Sequence, residues 1–153
     1  MKAYLFPGQG VQFPGMGKDL YESSDLAKKY FRKANELLDF SITEVMFQGS
    51  YEDLRQTKFA QPAIFLYSFI QSKILGENFR PTMVAGHSLG EISALAAVSA
   101  LDFESALKLI KVRASAMQSA CEVKDTGMMV VVGLYDIIVK NICDQVDGIV
   151  VPA

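Results

Sequence analysis

One short segment constrains this chain more than any other. Met83-Val84-Ala85 reads as a buried strand, Gly86-His87-Ser88-Leu89-Gly90 follows, and small residues from Glu91 to about Ala100 read as a helix. That is G-x-S-x-G between a strand and a helix. In this pattern a serine sits on a strained turn, and the flanking glycines let backbone approach backbone. The turn exposes the serine oxygen at a helix N-terminus, where free N–H groups, notably that of Leu89, can stabilise an oxyanion. The plainer alternative is a tight turn with Ser88 as N-cap.

The elements around it alternate. Tyr4–Phe6 reads as a strand and 7–17 as a glycine-rich loop. Residues 25–38 place Leu26, Tyr30, Phe31, Ala34, Leu37 and Leu38 on one helical face. Ser41-Ile42-Thr43-Glu44 and Ser50–Asp53 look like helix starts. Gln61-Pro62 is expected to open an apolar, buried helix that stops at Gly76. A helix over 103–121 carries Phe103, Leu107, Ile110, Ala114, Met117 and Cys121 along one stripe. Strands are expected at Met128–Val132 and Ile149–Val151, with a helix over about 137–146 between them. The alternation argues for an α/β fold.

Composition narrows the chemistry. The chain has 153 residues, half of them hydrophobic and 21% charged, so it is not a disordered tail. A net charge of −2 gives no sign of nucleic-acid or anionic-membrane binding. Two cysteines, Cys121 and Cys143, make neither a disulfide framework nor a zinc site, and are expected to sit inert on apolar helical faces. The lone histidine, His87, excludes every multi-histidine metal site, so no metal is expected. With no secretory signal and no apolar stretch long enough to span a bilayer, the expected compartment is the cytoplasm. A mean hydropathy of +0.21 means either a dense core or a surface that packs against something else.

His87 is a poor base for Ser88. Neighbouring side chains on such a turn point apart, and acyl transfer needs an imidazole converging from elsewhere. A packed, hydrogen-bonded ring is expected instead. Arg113 falls at the edge of the apolar stripe and needs a partner; its planar fork suits a carboxylate, from the protein or a ligand, and the plainer alternative is a snorkelling or salt-bridged arginine. The Gly8-Gln9-Gly10 loop fails both phosphate-loop fingerprints, because Phe13 and Gln12 stand where glycines would be required.

Four blocks together resemble the malonyl-CoA:acyl-carrier-protein transacylase family. They are Phe6-Pro7-Gly8-Gln9-Gly10, Gln61-Pro62-Ala63, Gly86-His87-Ser88-Leu89-Gly90-Glu91, and Arg113 with Met117 and Gln118. The resemblance implies an α/β-hydrolase-like acyltransferase core over 1–126, incomplete, and the start of a ferredoxin-like subdomain over 127–153, truncated. It implies that Ser88 carries the acyl group and that the N–H groups of Gln9 and Leu89 form the oxyanion hole. Arg113 would bind the malonyl carboxylate, with Gln61 and Met117 lining the pocket. Gly86, His87 and Gly90 would support the elbow. The substrate would be malonyl-CoA and the acceptor the phosphopantetheine thiol of acyl carrier protein, with no permanently bound cofactor. The family's base is a histidine well downstream of the serine, and nothing here matches it. The chain is therefore expected to be a truncated, severely impaired form. Two other readings stay open: a serine esterase or thioesterase of the α/β-hydrolase class, and a non-catalytic coenzyme A or carrier-protein-binding module.

Overall fold

In the computed structural model, residues 1–123 and 127–152 are described. Contacts divide the chain after Val123 into two units.

The first unit is helix-rich around a small parallel sheet. Strand β1 (Ala3–Phe6) pairs in parallel with β2 (Met83–Gly86), in register from Ala3 beside Met83 to Phe6 beside Gly86. Between them run α1 (Lys18–Ser23), α2 (Asp25–Leu37), α3 (Ile42–Gln48), α4 (Tyr51–Arg55) and α5 (Thr57–Ile74). After β2 come α6 (Leu89–Ala97) and α7 (Phe103–Val123). The register has a direct consequence. Both strands end at the same edge, so the loop after β1 and the turn after β2 emerge side by side.

Helix α5 is the centre of the unit. It packs against α2, α3, α4, α6 and α7. Its residues from Ala60 to Ile70 are buried apart from Tyr67, as its all-round apolar sequence requires. Phe65 and Phe69 stack at 5.6 Å, and Phe69 meets Phe103 of α7 at 5.0 Å. Full burial of such a side chain stabilises by about 1.5–3 kcal/mol. The helix begins at Thr57, four residues before the expected Gln61-Pro62 start. The N–H groups of Phe59 and Ala60 donate to the Gln56 carbonyl, and Thr57's N–H finds Gln118 Oε1 at 3.1 Å. Pro62 thus lies inside the helix, where its missing N–H leaves the Lys58 carbonyl without an i+4 donor. Lys58 is exposed, so water can satisfy that oxygen.

Local signals set the short helices. Ser24 Oγ accepts from Ala27 N–H to start α2. Ser41 starts α3 by accepting from Glu44 N–H. Ser50 and Asp53 form a full capping box on α4. The periodic face of α2 is buried at Ala27, Phe31 and Ala34. On α7 the stripe is buried only as far as Ala114; Met117 and Cys121 are exposed.

The described residues of the second unit hold one helix, α8 (Asp136–Gln145), and two segments without strand pairing. This corrects the expected strands at Met128–Val132 and Ile149–Val151. A strand exists through its ladder, and among the described residues neither segment has a ladder partner. Met128, Met129 and Val132 are instead almost fully exposed. Cys143 is half-buried, so neither cysteine is in a core.

Candidate active site

Ser88 lies two residues past the end of β2 and immediately precedes α6, with φ 56° and ψ −116°. A non-glycine residue there is strained, and such strain gathers at functional turns. The glycines on either side explain how the turn closes. A Cβ on Gly86 would land on the backbone of Gly90 and Glu91, and one on Gly90 would land on the Phe6 carbonyl. These contacts clamp the N-terminus of α6 against the ends of both strands.

His87 departs from expectation. It is exposed, and among the described residues its imidazole makes no hydrogen bond. Its ring lies against Gly8: a Cβ there would come within 2.6 Å of Nδ1. Its backbone N–H donates to the Phe6 carbonyl at 3.0 Å, tying the turn to β1. Burial of the ring fails because the turn projects it over a glycine rather than into the core.

Arg113 reaches the serine from α7. One guanidinium nitrogen, Nη2, donates to Ser88 Oγ at 2.9 Å. The other, Nη1, donates to Gln61 Oε1 at 2.6 Å. Gln61 is 1% exposed, and its Nε2 donates to Met117 Sδ at 3.2 Å. Among the described residues no carboxylate lies within ion-pair distance of Arg113; the ion pairs are Lys28–Asp25, Lys33–Glu36, Lys33–Glu104 and Lys111–Asp39. A half-buried guanidinium held by a neutral amide and a hydroxyl retains its charge for a ligand.

The loop after β1 completes the arrangement. Among the described residues, neither the Gln9 nor the Leu89 N–H meets a protein acceptor. Leu89 is the first residue of α6, so its N–H belongs to the unsatisfied helix end. The site therefore brings together a strained serine and, among the described residues, two N–H groups without a protein acceptor and a cation without a counter-charge. That combination suits attack on a carbonyl of an acid derivative that carries its own carboxylate.

Sequence reasoning overlooked Thr57, Gln12 and the partners of Gln118. Gln9 Nε2 donates to Thr57 Oγ1 at 3.3 Å, and Gly10 N–H donates to Gln12 Oε1 at 2.8 Å. A polar residue in a glycine-rich loop looks solvated from sequence; only its 7% exposure marks Gln12 as structural. Two cavities lie elsewhere. One of about 920 Å³ includes Lys28, Arg32 and Glu104, and one of about 280 Å³ includes Tyr4, Ile64 and Tyr67. Neither is lined by Ser88 or Arg113. Among the described residues no helix is long and apolar enough to cross a membrane, and no cluster of side chains could hold a metal ion.

Known proteins share much of this chain's sequence and fold. The acyl transferase domain model matches residues 3–152. A malonyl CoA-acyl carrier protein transacylase of Bacillus subtilis is 39% identical over 145 residues, covering 94% of this chain and 46% of the relative. The crystal structure of malonyl-CoA:acyl carrier protein transacylase from Helicobacter pylori superposes with a TM-score of 0.85 at 42% identity, over 94% of this chain and 47% of that one. A malonyl-transacylase in complex with a type II polyketide acyl-carrier protein gives a TM-score of 0.72 at 36% identity, over 77% of this chain and 39% of that one. The chain thus spans about half the length of the relatives it matches. Matched over nearly its whole length, the chain belongs to the acyl transferase domain family.

Proposed function

We propose that this chain carries the nucleophile half of a malonyl-transfer site, in an α/β-hydrolase-like core with a ferredoxin-like subdomain beginning near residue 127. Ser88 attacks the thioester carbonyl of malonyl-CoA. The N–H groups of Gln9 and Leu89 hold the oxyanion that forms. Coenzyme A leaves as the thiol and Ser88 keeps the malonyl ester. The phosphopantetheine thiol of acyl carrier protein then takes the malonyl group in a second displacement. The observation that carries the reading is Arg113, bonded to Ser88 Oγ yet, among the described residues, within ion-pair distance of no carboxylate. A simple esterase has no use for such a charge. The malonyl carboxylate matches it as a bidentate partner.

In this reading the base is an imidazole from outside these residues, because the one histidine, His87, is not bonded to Ser88. Without that base, acylation is slower by about 10⁴-fold, by analogy with other serine enzymes. The test is to incubate the chain with malonyl-CoA or acetyl-CoA and follow acylation of the Ser88 peptide by mass spectrometry. Malonyl should label faster than acetyl, and Arg113→Ala should remove that preference. Equal labelling by both donors in the native chain would sink the carboxylate role. The same absence of a bonded base favours a second reading, a coenzyme A or carrier-protein-binding module. It predicts malonyl-CoA binding by calorimetry with no Ser88 adduct.

A further inference from the structure

Two adjacent N–H groups in the loop after β1 have different fates. Gly10's N–H is taken by Gln12 Oε1 at 2.8 Å, while Gln9's N–H meets no acceptor among the described residues. The side chain that makes this difference is itself well hidden: Gln12 is 7% exposed, although its neighbours Val11 and Phe13 are each 49% exposed. Its amide orientation is dictated, because only the oxygen can accept from an N–H. Gly10 adopts φ 120° with open space around its missing Cβ, so glycine is required by backbone conformation and not by crowding. The loop is also held from outside. Gln9's side-chain amide donates to Thr57 Oγ1 at 3.3 Å, and Thr57 is fixed through its N–H to Gln118 Oε1 at 3.1 Å. Gln118 in turn donates to Glu122 at 2.9 Å.

We propose that Gln12 is a positioning residue for the oxyanion loop, with Thr57 as its second anchor. This rests on the reading above of the Gln9 N–H as an oxyanion donor. Gln12 occupies the Gly10 N–H and fixes the turn, which leaves the preceding N–H free and held in place. A donor that is already oriented needs no rearrangement when negative charge develops, which is where its catalytic value lies. Gln12 touches no reacting atom and acts only through the loop.

The test uses the 153-residue chain and p-nitrophenyl acetate, an acyl donor without a carboxylate, so the outcome is independent of malonyl recognition. Gln12→Met keeps length and shape but puts a methyl group where the oxygen that accepts from Gly10 stood, and its sulfur is at most a weak acceptor set one atom back. Amide exchange at Gly10 should accelerate. The saturating rate of Ser88 acetylation should fall by about 10-fold or more, with the half-saturating ester concentration unchanged, because oxyanion contacts act in the transition state. Thr57→Val should show a smaller fall of the same kind, and Thr57→Ser should acylate like the native chain. If Gln12→Met fails to fold, seen as lost helical circular dichroism, the Thr57 pair decides. Equal rates for Thr57→Val and Thr57→Ser would then overturn the proposal. Unchanged Gly10 exchange in a folded Gln12→Met chain would overturn it, as would faster exchange with a native rate. A rise in half-saturating concentration alone would do so too. Ser88→Ala separates the two layers. If it is labelled as fast as the native chain, the nucleophile reading fails and the loop role with it; if it is silent, failure of the variants concerns the loop alone.

Discussion

Gln61 shows how a neutral residue can serve a charged one. It is buried, and both ends of its amide are engaged, by Arg113 Nη1 at 2.6 Å and by Met117 Sδ at 3.2 Å. It orients the guanidinium without neutralising it. Gln61→Glu would keep the shape and supply a permanent counter-ion. Malonyl-CoA binding should then weaken by about tenfold or more, since one charge-assisted bond contributes about 1.5–3 kcal/mol. Calorimetry against coenzyme A itself checks this, and equal weakening of both ligands would argue for simple misfolding of the site. Asp53 gives a prediction in pH. Hydrogen bonds from the Ser50 hydroxyl, then from its backbone N–H, hold the carboxyl below its ordinary 3.8. A lowered folded pKa means the cap's contribution is present above 3.8 and is lost as pH falls through the folded value. A carboxyl titration followed by NMR should place the Asp53 midpoint below 3.8. A midpoint at or above 3.8 would show the box is open in solution.

At the scale of elements, the site depends on how closely α6 meets β1. Gly90 fits because nothing but hydrogen stands between it and the Phe6 and Pro7 carbonyls. Gly90→Ala should force the helix off the strand and cost about 3 kcal/mol or more, measured by urea unfolding. A variant as stable as the native chain would mean the contact is looser than it looks. The far end of α6 is tied down separately. Lys73 Nζ donates to the Ala97 carbonyl at 3.1 Å and sits 4.9 Å from the Phe69 ring centroid, while burial lowers its pKa below 10.5. Most of these elements were legible in sequence: the α2 stripe, the Ser41 and Ser50 starts, the turn at Gly86–Gly90. The early start of α5 was not. Its cap comes from Gln118 on α7, 61 residues away, and no local pattern can signal a long-range cap.

At the scale of the whole chain, the first unit contains one well-packed helical core and one uncovered sheet face. Tyr4, Phe6 and Val84 face α6, while Ala3, Leu5, Met83 and Ala85 are exposed. Leu5 is 79% and Met83 53% exposed. Parallel sheets are ordinarily covered on both faces. This apolar surface should bind a hydrophobic dye such as ANS, and replacing Leu5 and Met83 with lysine should lower the fluorescence clearly. Unchanged fluorescence would assign dye binding to the apolar segments of the second unit. The high mean hydropathy thus has a structural counterpart in surface as well as core.

The chain's own order of residues was enough to determine the strained backbone of the turn and the family. A strand, G-x-S-x-G and a helix of small residues form a local pattern, and glycine spacing is dictated by contacts within a few residues. It also placed Arg113 at the edge of a buried stripe, because helical periodicity is local too. Tertiary structure alone decided what Arg113 meets. Its hydroxyl and amide partners lie 25 and 52 residues away, and only the packing of α5 against α7 and the parallel register of β1 with β2 bring them together. It alone decided that His87 is exposed, that Gln12 is buried, and that the segments from 128 and 149 form no strands. A side chain's burial and a strand's existence both depend on what packs alongside, and that is a property of the folded neighbourhood.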